Sequence, residues 1–86
     1  MNEKELFQKN QTLSTEFDLY LADHPELEEQ IPQNALLVLL PEYDQELSEK
    51  NLQLAERLRE PGQPTVYVKI KKLLNSRLEG LTLQVA

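Results

Sequence analysis

Four carboxylates, Glu42, Asp44, Glu46 and Glu49, crowd into "LPEYDQELSE", where a strand-forming run gives way to a helical one. Asp44 and Glu46 are spaced to share a magnesium ion, and strand-to-helix junctions are where α/β proteins hold ligands. A simpler account covers the same residues: anionic groups in a first helical turn complement the partial positive charge of the helix N-terminus. Gly62 and Gly80 are isolated, so no glycine-rich loop cradles a phosphate. The simpler account is adopted, and neither metal nor cofactor is expected.

His24, the only histidine, follows Asp23 and comes one turn after Tyr20. A base, an orienting acid and a phenol stand close in sequence. Cysteine is absent, however, and no serine motif supplies a nucleophile. A histidine at a helix C-terminus also suits the dipole there. No catalytic residue is assigned, and the protein is read as a non-enzyme.

The third group alternates along a strand. Tyr67, Lys69 and Lys71 share one parity of "TVYVKIKKL", with Thr82 and Gln84 beside them on the next strand. Some single-stranded RNA binders expose an aromatic and lysines on a sheet face. One aromatic is a thin stacking platform, so docking of a protein is the expected role. The alternative is a weak nucleic-acid binder using Tyr67, Lys69, Lys71, Lys72 and Arg77.

The elements that position these residues can be read from period and punctuation. Helix 3–24 carries Leu6, Asn10, Leu13, Phe17, Tyr20, Leu21 and His24 on one face. Asn2 caps it, with Glu5 placed to reach back, and Pro25 ends it. "PELEEQI" suits a further short turn. "ALLVLL", residues 35–40, is apolar at both parities, which suits an interior strand covered on both faces. Asp44 caps a second helix, 44–60, which "EPGQP" terminates.

Strands 65–73 and 77–85 then form a hairpin. With Asn75-Ser76 as its turn, Val66 meets Val85, Val68 meets Leu83, Ile70 meets Leu81, and Lys72 forms an ion pair with Glu79. The fold class is α+β: an α-β-α-β-β two-layer sandwich, with a three-stranded mixed sheet and two helices on one face, in one domain over 1–86.

Asn10 and Asn51 interrupt otherwise apolar stripes at the same point of a shared phrase, L-x-x-K-N-x-x-L. Each amide donates twice and accepts, so two facing amides satisfy one another and nearby carbonyls. They are read as a structural polar pair. Leucine at both positions is expected to be neutral or stabilising, and leucine at Asn51 alone to destabilise.

Charge separates along the chain. Residues 1–60 hold 14 acids and 5 bases, −9; residues 61–86 hold Lys69, Lys71, Lys72 and Arg77 against Glu79, +3. The acidic part repels nucleic acid at long range and suits a basic partner. The longest apolar run, six residues, is too short for a membrane span. With no cysteine to oxidise, a cytoplasmic location is expected.

Four phrases carry a resemblance: the HPE turn, the IPxNAL-x-VLLP strand, the NLxLA helix and the REPGQPxVYVxIKKL strand. Together they resemble a small prokaryotic family of uncharacterised proteins, a domain of unknown function, over nearly the whole chain. The resemblance implies one complete domain and no assigned activity.

The resulting expectation is a small cytoplasmic interaction protein. It forms a homodimer, because "ALLVLL" asks for cover that its own two helices would not supply, and it takes a protein partner.

Overall fold

The computed structural model describes residues 1–74 and 77–86, ordered α1 (Glu3–Asp23), α2 (Pro25–Glu28), β1 (Leu36–Pro41), α3 (Gln45–Leu58), β2 (Thr65–Leu74) and β3 (Arg77–Val85). The expected α-β-α-β-β order is present, with the short "PELE" turn as α2. Helix boundaries follow their caps. Asn2 accepts from the Glu5 N–H at 2.8 Å, and its own amide donates to the Glu5 carboxylate. Asp44 accepts from the Leu47 N–H at 3.1 Å and so opens α3. Pro61 and Gly62 occupy the centre of the turn that follows α3. Gly62 has φ 78°, and the Gln63 N–H closes onto the Glu60 carbonyl at 3.0 Å. Proline then glycine at these positions defines a type II turn.

The sheet order is β1-β2-β3, with β1 parallel and β3 antiparallel to β2. The hairpin register is the one expected: Val66 opposite Val85, Val68 opposite Leu83, Ile70 opposite Leu81 and Lys72 opposite Glu79. The Asn75-Ser76 turn lies outside the described residues. Val66, Val68 and Ile70 are fully buried beneath Leu13 and Phe17 of α1 and Leu47 of α3. Burying each aliphatic side chain stabilises by roughly 1.5–3 kcal/mol.

Two expectations are corrected. First, strict alternation stops at Gly80. Lys72 and Glu79 both lie exposed, and no ion pair joins them among the described residues. The next apolar residues packed into the core are Leu73 and Leu78, three positions from Ile70 and Leu81 instead of two. Gly80 has φ 67°, a left-handed conformation, and this local break re-phases both strands together.

Second, β1 is an edge strand and not an interior one. It is nevertheless largely covered within a single chain: Val38 is only 3% exposed and Leu39 and Pro41 are buried, with Leu37 alone of its residues exposed. The reason is α3, which lies along β1 and bonds its outer edge. No second copy is needed to shield this strand, so that ground for a dimer disappears.

Candidate interaction surface

Alternation in β2 and β3 sends one set of side chains into the core and the other to the opposite face. Tyr67 stands opposite Gln84 and Lys69 opposite Thr82, so four of the five expected surface residues are cross-strand neighbours. Lys71 completes the patch one step along β2. Lys69, Lys71, Thr82 and Gln84 are exposed and Tyr67 is half-buried. Gly80 lies close beneath Lys71. A Cβ built at Gly80 would sit 2.7 Å from Lys71 Cβ and 2.9 Å from its Cδ. Glycine therefore lets the lysine stem lie close across β3.

At the other end of the patch, Tyr67 and the buried Thr65 border a cleft of about 230 Å³ closed by Leu36, Leu52, Ala55 and Arg59. The Thr65 hydroxyl has no hydrogen-bond partner there. Thr65 and Arg59 escaped sequence reading, because nothing in "EPGQPT" marks the threonine as buried.

The two asparagines meet. Asn10 Nδ2 donates to Asn51 Oδ1 at 2.8 Å, and Asn51 Nδ2 donates to Asn10 Oδ1 at 2.9 Å and to the Leu39 carbonyl at 2.8 Å. Which edge that carbonyl lies on follows from the ladder. The Leu36 N–H donates to the Pro64 carbonyl and the Glu42 N–H to the Ile70 carbonyl. Even-numbered residues of β1 thus point their backbone groups at β2, and Leu37, Leu39 and Pro41 point theirs outward. The Ser48 hydroxyl donates to the Pro41 carbonyl at 2.7 Å. Asn51 and Ser48 together close two outward carbonyls of β1. Sequence reading missed Ser48, although a hydroxyl three residues before Asn51 on one helix face was an available signal.

The acidic residues at the strand-to-helix junction do not converge. Asp44 is occupied by the Leu47 N–H and by Lys9 Nζ at 3.0 Å. The hydrogen bond from Lys9, then that from Leu47, holds its carboxyl below the usual range. Glu46 lies 3.4 Å from the Met1 ammonium, while Glu42 and Glu49 face solvent. Among the described residues, no three His, Asp or Glu side chains gather as a metal would require. His24 ends α1 and stacks on Tyr20, ring centroids 4.1 Å apart, with its buried Nδ1 unpartnered.

Among the described residues no helix is long and apolar enough to cross a membrane. No curated protein and no solved structure matches this chain. The family model of DUF5647, a family of unknown function, matches residues 5–81, and with that span of its 86 residues the chain belongs to that family.

Proposed function

We propose that the protein is a non-enzymatic interaction module of the cytoplasm, acting as a homodimer, that docks a protein partner on the open face of its sheet. The observation that supports this reading is the patch of Tyr67, Lys69, Lys71, Thr82 and Gln84. It is one continuous surface, its lysines are exposed, and glycine at position 80 keeps it low. An acidic protein surface is the complement of such a patch.

The opposite side supports a second contact. Residues 10–49 contain ten acids and no lysine or arginine, and most of these acids are exposed. A basic partner would be drawn to this side through α1 and α2. Nucleic acid has weaker support, since Tyr67 is half-buried against the α3 side and offers little ring for stacking.

Affinity capture from the native cell, with wild type and the Lys69→Glu/Lys71→Glu protein, tests the proposal. A partner held by wild type and lost by the variant is the expected result. Binding of single-stranded RNA at low salt that vanishes in the same variant would replace docking by nucleic-acid binding.

A further inference from the structure

The outer edge of β3 carries the same backbone groups as that of β1, and among the described residues no helix side chain is hydrogen-bonded to it. The Ala86 N–H donates to the Thr65 carbonyl, which makes residues 65 and 86 a hydrogen-bonded pair. Pairing alternates from there, so Gln84 and Thr82 bond to β2 while Val85, Leu83 and Leu81 turn their N–H and C=O groups outward. Among the described residues, no side chain or backbone group bonds to these outward groups. An uncovered edge of this kind is a template for another strand.

The sequence of this edge specifies which strand. "LTLQV", residues 81–85, is symmetric in character about Leu83. Run antiparallel against itself, it places Leu83 opposite Leu83, Leu81 opposite Val85 and Thr82 opposite Gln84. Apolar meets apolar on the core side, and polar meets polar on the open side. The outward groups fall in register as well, because residues 81, 83 and 85 all pair with one another and never with an even-numbered residue.

Charge permits the approach. Each chain carries −6, yet no side chain of residues 80–86 is charged. Arg77 and Glu79 lie beyond the Gly80 break, outside the paired segment. Leu83 is half-buried and Val85 51% exposed, so the core side of this edge keeps apolar surface for a partner to cover.

We infer that a second copy of this chain pairs antiparallel along β3, centred on Leu83, to give one six-stranded sheet. The inference rests on the dimer reading above and assigns its interface. Pairing brings the two open-face patches together into one surface, with the Thr82 and Gln84 residues of both copies at its centre.

Light scattering over a micromolar-to-millimolar concentration series tests this. Wild type is expected to rise from 10.0 kDa towards twice that mass. Val85→Pro removes one outward N–H and leaves the β2–β3 ladder intact, so it is expected to stay monomeric at every concentration. Val85→Lys places a charge on the edge and is the second variant, should the proline disturb folding. Both variants dimerising like wild type would overturn the β3 interface while leaving a dimer through another surface. A wild type that stays at 10.0 kDa throughout would overturn interface and dimer together.

Discussion

Along β1, two of the three outward carbonyls, those of Leu39 and Pro41, end on Asn51 and Ser48 of α3, and Pro41 has no N–H to leave open. Along β3, the outward groups of Leu81, Leu83 and Val85 meet no donor or acceptor among the described residues. β1 is apolar at all six positions and β3 at four of nine, yet apolar side chains satisfy no outward N–H or carbonyl. What separates them is a helix carrying an amide and a hydroxyl at the spacing of the outward carbonyls. An edge is protected by what lies beside it, and its own side chains are a poor guide to whether it is closed.

Opening the guarded edge should have the largest effect. Asn51→Leu leaves both the Leu39 carbonyl and the Asn10 amide without their partner. At roughly 1–3 kcal/mol for each orphaned group, a loss of about 3 kcal/mol is expected by urea denaturation. Asn10→Leu should cost about half as much, because Asn51 keeps its bond to Leu39. The double leucine protein, expected from sequence to be neutral or better, should instead remain about 1–2 kcal/mol below wild type, since Leu39 still lacks a donor. Equal stability of the double variant and wild type would show that closure of this edge does not depend on the amide.

Gly80 sharpens the comparison from the other side, for it limits the length of β3 that remains regular. Gly80→Ala forces a side chain into a left-handed conformation and against Lys71 Cβ. A loss of about 1–2 kcal/mol is expected in thermal or urea unfolding. An unchanged midpoint would mean that the break at Gly80 is not required for Leu73 and Leu78 to reach the core.

The smallest effect belongs to Asp44, which starts the guarding helix. Its carboxyl titrates below the ordinary value, by virtue of Lys9 and then the Leu47 N–H. Stability from this group is therefore fully present above a carboxyl's unfolded pKa of about 3.9, and is lost as pH falls through the lower folded value. Melting temperatures of wild type and Asp44→Asn should converge at acidic pH and differ slightly at neutral pH. A constant difference across the acid range would contradict the assignment.

Much of this architecture was legible in the residues. Val66, Val68 and Ile70 against Leu81, Leu83 and Val85 admit only one parity, because a slip of one residue exposes the whole set. Asn10 and Asn51 were recognisable as partners because each interrupts an apolar stripe at the same height. Position in the sheet was not legible. "ALLVLL" is apolar at both parities because α3 wraps an edge, a pattern that an interior strand would also produce. The break at Gly80 was hidden for a related reason: alternation fits Lys72 opposite Glu79 as well as it fits the residues before them, and only the glycine's positive φ re-phases the strands. The open-face patch was legible as a surface, whereas Thr65 at its margin borders a cleft lined by residues of α3 and carries no local mark.

Amide hydrogen exchange at Leu81, Leu83 and Val85, compared between dilute and millimolar protein, tests the asymmetry of the two edges most directly. These three amides should exchange rapidly when dilute and slow by roughly tenfold or more when concentrated, while Val66, Val68 and Ile70 stay protected in both. Identical rates for the three at both concentrations would contradict the account, leaving β3 as an edge that no second copy closes.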